Sequence, residues 1–188
     1  MSERAVEWIS PEYATVGSLL LDPDGLATVK DWLRPEDFYH RSCGNAYETI
    51  VRLASQHTPI DPNAVIAGMR GPQHERPSGL ELFRMVEVVP DPSRVGYYGR
   101  LVVEASLFRQ VEKAGAELVH AGAARRGTVD ELFTTVHQAC TPVIATRRRY
   151  DQATAAVGHI HTGPVPVGRA IAADQVVVRI EQARALSR

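Results

Sequence analysis

Ser93-Arg-Val-Gly-Tyr-Tyr-Gly-Arg100-Leu-Val-Val-Glu-Ala-Ser-Leu-Phe-Arg-Gln-Val-Glu-Lys-Ala-Gly-Ala-Glu-Leu-Val-His120 is the stretch on which the fold turns. Val95, Tyr98, Leu101, Val102, Ala105, Phe108, Val111 and Leu118 recur at steps of three and four, the period of one helix face. A helix of about 30 residues spans about 45 Å at the standard rise, more than a small domain covers by itself. Residues 122–127 offer a turn, and Thr128-Val-Asp-Glu131 reads as a capping box for a second helix carrying Leu132, Phe133, Val136 and Val143. Residues 93–146 are therefore expected to form an antiparallel helical hairpin with surplus apolar surface. Such a hairpin is a device for association, and Tyr98, Phe108, Val111, Leu118, Leu132, Phe133 and Val136 are expected to carry it.

Upstream, cap-then-proline signals punctuate a small helical bundle over residues 10–92, behind an arm at 1–9. Ser10-Pro11 opens a helix with Tyr13, Val16, Leu19 and Leu20 inward, and Asp22-Pro23 opens one with Leu26, Val29, Trp32 and Leu33 inward. Pro35-Glu-Asp-Phe-Tyr39 is a turn pinned by its aromatics. Ser42 is expected to cap the next helix, which buries Tyr47, Ile50, Val51 and Ala54. Asp61-Pro62 precedes one with Val65, Ile66 and Met69, and a short helix follows with Leu80, Phe83 and Val86 inward. Pro142 is expected to kink or end the second hairpin helix. Residues 147–188 are expected to be a linker and a C-terminal tail helix. No segment sustains period-two alternation, so the fold class is all-α: a small helical bundle followed by a long antiparallel helical hairpin.

Composition narrows the function classes. The chain has 188 residues, 44% of them hydrophobic, and a net charge of −1, so no global field favours nucleic acid. Arg125, Arg126, Arg147, Arg148 and Arg149 form local clusters, read first as solvated surface and second as contacts for DNA or an acidic partner. Two cysteines make no disulfide framework, no apolar run reaches membrane-spanning length, and a cytoplasmic location is expected. His40 with Cys43 and His137 with Cys140 have a spacing zinc can use. Without a Cys-x-x-Cys partner, isolated pairs are the commoner account. Cys140 near His137 reads as core filling rather than a thiol catalyst. Glu12, Asp37, Glu48 and Asp61 fall mainly at caps or first turns, where backbone amides explain them. No cofactor or metal is expected.

Taken in order, Glu12-Tyr-Ala-Thr-Val-Gly-Ser-Leu-Leu-Leu-Asp-Pro23, Pro35-Glu-Asp-Phe-Tyr39, Pro59-Ile-Asp61, Val89-Pro-Asp-Pro-Ser93 and Tyr98-Gly-Arg-Leu-Val-Val-Glu104 with Arg109 resemble the N-terminal domain of the bacterial replicative helicase DnaB. The resemblance covers roughly residues 10–145, and a run of separate short matches is more specific than any one motif. It implies hairpins that pair into the collar of a hexameric ring, where primase docks. This chain departs from the family's pattern at Cys43, where a histidine is usual, and at Ser78-Gly79, where two glycines are usual. The helicase phosphate loop Gly-x-x-x-x-Gly-Lys-Ser/Thr is absent, since no Gly-Lys pair occurs.

The expectation is therefore a non-enzymatic, stand-alone relative of the collar, a homodimer or higher homo-oligomer that binds a replicative helicase or primase. The alternative is a DNA-associated replication accessory or initiation factor using the arginine clusters and tail. A third reading is a partial helicase copy that folds without a partner.

Overall fold

Proline at its first position opens α1 (Pro11–Leu21), the helix around which the bundle is built. The structure is a computed structural model that describes residues 10–124 and 127–158. The expected arm at 1–9, the linker and tail helix from residue 159 onward, and Arg125 and Arg126 lie outside the described residues. Ala14, Val16 and Leu19 are fully buried, with α5 (Gly79–Glu87) and the first half of α6 (Val95–Ala124) packed against α1. Around them stand α2 (Leu26–Val29), α3 (Arg41–Ser55) and α4 (Pro62–Gly68). The all-α fold class holds among the described residues.

Several local expectations need correcting. Ser10 and Asp22 precede their helices but make no side-chain cap bond, and Pro23–Gly25 is a 3-10 turn before a four-residue α2. Trp32 and Leu33 are nevertheless buried, carried inward by the turn that follows. Helix α3 starts one residue before Ser42, whose hydroxyl instead donates to Glu81 Oε1 at 2.9 Å, a tertiary bond to α5. On α5 the core face is Leu82 and Met85, with Val86 beside them, while Leu80 and Phe83 point outward. Two apolar sets interleave on that short helix, and only the position of α1 selects between them. Ile66 on α4 is also exposed.

Phe38 pins the turn at 35–39 to the core as expected, whereas Tyr39 is exposed. Asp61 accepts the amides of Asn63 and Ala64 as its cap position predicts, and Ser78, not singled out as a cap in the sequence, accepts that of Glu81. At the hairpin tip Thr128 and Glu131 cap each other's amides at 2.8 and 3.2 Å, opening α7 (Val129–Val157). Thr128→Ala is expected to lower stability by about 1 kcal/mol, read as a lower urea midpoint with an unchanged slope.

Helix α7 continues on both sides of Pro142. Proline removes the bond to the Gln138 carbonyl, but Gln138 and Pro142 are both exposed, so water replaces the missing amide. The helix also overruns the expected hairpin boundary at 146, reaching Val157. Its buried residues Ala139, Thr146 and Ala153 recur every seventh position as small side chains on one face, and Ala153 joins the bundle core.

Candidate interaction surface

The apolar stripe of α6 has two fates along its length. Between Val95 and Ser106 its members Val95, Tyr98 and Val102 are buried against the bundle, Leu101 is half-buried and Ala105 exposed, and beyond Ser106 the buried residue of α6 is Ala114. The remainder of α6, paired with α7, carries apolar side chains into solvent. Phe108 is 70% exposed and Phe133 67%, and Val111 and Leu132 are exposed as well. Leu118 and Val136 are half-buried. Tyr98 needs correction as an interface residue: at 8% exposure it belongs to the core, and burial raises its pKa above the ordinary phenol range. Its neighbour Tyr97 is the partly exposed one. The Arg94 guanidinium lies 4.8 Å and that of Arg100 5.6 Å from its ring centre.

Val119, Val129 and Ile144 are exposed members of the arm that the sequence reading did not select. The available signal was the lack of a polar face: Val119 follows Leu118, and Val129 follows the capping threonine. Seven such large apolar side chains among the described residues of one arm, with Phe108 and Phe133 the largest, make a surface suited to a protein contact.

The arginine cluster divides. Arg147 pairs with Asp151 one turn on, at 2.9 Å and in solvent, and Arg148 is exposed. Arg149 is a correction, because it is not part of a solvated patch. Its side chain is 16% exposed and forms an ion pair with Asp37, while also donating to the Trp32 carbonyl at 3.3 Å and Thr146 Oγ1 at 3.0 Å. A contact surface for DNA among the described residues therefore loses its expected central member.

Asp37 does more than cap its turn. It is fully buried, and it accepts the Arg34 amide at 2.9 Å, the Ser106 hydroxyl at 2.9 Å and the Arg149 guanidinium. Arg109 donates to the Asp37 backbone carbonyl, with its guanidinium 5.7 Å from the Tyr39 ring centre. One carboxylate thus ties the turn at 35–37 to both hairpin helices. Glu12 acts similarly across the bundle, its two oxygens accepting the amides of Tyr39 at 2.6 Å and His40 at 3.0 Å. The Glu81 carboxylate takes both Ser42 and Tyr13 hydroxyls, and burial together with that charge pushes the Tyr13 phenol up to about 12.

Cys43 is fully buried, and its thiol is pushed up by burial and then by the charges of Glu12 and Glu81, the opposite of what a nucleophilic thiolate needs. Cys140 is half-buried on α7. Among the described residues no three His, Cys, Asp or Glu side chains converge as metal ligands, and no helix is long and apolar enough to cross a membrane.

A family model described as the DnaB-like helicase N terminal domain matches residues 6–104. The replicative DNA helicase DnaB of Geobacillus stearothermophilus is 30% identical over 140 residues, 71% of this chain and 31% of that helicase. The DnaB of Mycobacterium leprae is 31% identical over 116 residues, 61% of this chain and 19% of its own length. The crystal structure of the N-terminal domain of DnaB helicase from Mycobacterium tuberculosis matches with a TM-score of 0.62 at 29% identity, covering 70% of this chain and 97% of that one. This chain spans about a third or less of the length of the curated relatives.

Proposed function

The chain belongs to the family of DnaB-like helicase N-terminal domains, and on that premise we propose that it is a contact module of DNA replication. It self-associates through the distal half of its hairpin and binds a replisome protein, a helicase or a primase, without ATPase chemistry of its own. The observation that carries this reading is the placement of Phe108, Val111, Leu132 and Phe133 in solvent on the part of the hairpin beyond the bundle. Burying one such side chain in a contact contributes about 1.5–3 kcal/mol, so a few of them support a stable pair. The lack of a phosphate loop in these 188 residues supports the non-enzymatic part.

The test is mass in solution. Sedimentation equilibrium is expected to give a dimer or larger species at micromolar concentration. Phe133→Asp is expected to weaken association at least tenfold, with the helical circular dichroism unchanged, because a carboxylate would be desolvated in the contact. A wild type that stays monomeric at high micromolar concentration removes self-association. Binding of single- or double-stranded DNA with a steep salt dependence, lost on Arg148→Glu, would favour the DNA-associated alternative instead.

A further inference from the structure

We infer that the buried polar network around Asp37 is an angular lock, which sets the direction in which the hairpin leaves the bundle. Two kinds of contact join the arm to the bundle. Val95, Val102 and Val103 on α6 make apolar contact with the core, and the Trp32 ring closes on Gly99, where an added Cβ would lie 3.0 Å from it. Apolar burial is non-directional and tolerates small rotations. Hydrogen bonds and ion pairs are directional. Among the described residues the guanidinium and hydroxyl ties across this junction gather on Asp37 and the nearby Trp32 carbonyl. Ser106 and Arg109 reach Asp37 from α6, and Arg149 reaches it from α7 while also holding the Trp32 carbonyl and Thr146.

The position of the ties matters as much as their chemistry. Ser106 is the last α6 residue buried against the bundle. From there to Ala124 the arm runs 18 residues, about 27 Å, with its support coming from α7. Angular slack of about 10° at the junction would move the tip by about 5 Å over that length. A buried ion pair is seldom the most stable filling of such a position, since apolar residues of similar volume usually do as well, whereas it specifies one arrangement among several. The guanidinium fork engages three separate partners at fixed angles, which a lysine could not do. The inference concerns one chain and does not depend on pairing.

Electron–electron distance measurements test it. Spin labels at Glu48→Cys on α3 and Glu117→Cys on the arm, in a Cys140→Ser background with unlabelled chain in excess, report the angle within one protomer. Otherwise wild-type protein is expected to give one narrow distance population. Asp37→Leu with Arg149→Met is expected to melt within about 5 °C of the parent yet broaden that population by about 3 Å, the displacement that 10° gives at Glu117, about 17 Å beyond Ser106. Arg149→Lys, which keeps the charge and loses the fork, is expected to stay folded and broaden it as well. Unbroadened populations in either variant overturn the inference. So does failure of the apolar pair to fold, because the network would then be needed for stability rather than direction.

Discussion

Asp37→Ala is expected to lower the unfolding free energy by about 3–5 kcal/mol, the cost of removing one partner from a buried ion pair. Asp37 is fully buried and the Arg149 side chain 16% exposed, so the guanidinium left behind can recruit little water. The Ser106 hydroxyl and the Arg34 amide lose their acceptor at the same time. Urea titration followed by helical circular dichroism reads the loss. A double-mutant cycle makes it specific: Asp37→Ala with Arg149→Ala is expected to cost clearly less than the sum of the single changes, because the second change removes the stranded charge. Strict additivity would mean the two side chains act independently, contrary to their contact.

Gly17→Ala is expected to be nearly as damaging, at about 3 kcal/mol, the upper end of ordinary overpacking. A Cβ at Gly17 would sit 1.9 Å from the Met85 carbonyl oxygen and 2.6 Å from Val89 Cγ2. Both helices would have to part by more than an ångström, because the nearer obstacle is backbone and has no rotamer to change. Gly115→Ala on the free arm is the control. Nothing lies within 4 Å of an added Cβ there, so the helix preference for alanine acts alone and about 0.5–1 kcal/mol is gained. Opposite signs for the same substitution would assign the Gly17 effect to close approach of α1 and α5. Equal signs would contradict it.

The legible part of the fold is the part written locally. The capping box at Thr128, the cap at Asp61 and the helical period of Val95 through Leu118 involve neighbours within one or two turns, and each specifies a helix or its start without help from elsewhere. The order of short matches from Glu12 to Arg109 identified the family for the same reason, as a linear pattern. Leu80 and Phe83 show where this stops. They share a face at helical spacing, as do Leu82 and Met85, and the choice between the two faces belongs to α1. Pro142 shows it differently: its local penalty is real, but pairing with α6 along the arm outweighs it.

The candidate surface was half legible. In the sequence Phe108, Val111, Leu132 and Phe133 are apolar in excess of what the hairpin can cover, and in the structure they are exposed. Tyr98 shares their stripe, yet the bundle covers it. Arg149 was grouped with Arg147 and Arg148 because the three are adjacent, yet a hundred degrees of helical rotation per residue sends one inward to Asp37.

By itself, the amino-acid sequence determined that this protein is helical, where most helices begin, that a long hairpin follows a small bundle, and which family it belongs to. Those properties depend on spacing and on contacts within a few residues. Only the tertiary structure decided how far along α6 the bundle's cover extends, which arginine is buried, and that Asp37 joins a turn to two helices 69 and 112 positions away in the chain. Such outcomes depend on which surfaces meet, and neither periodicity nor residue type records that.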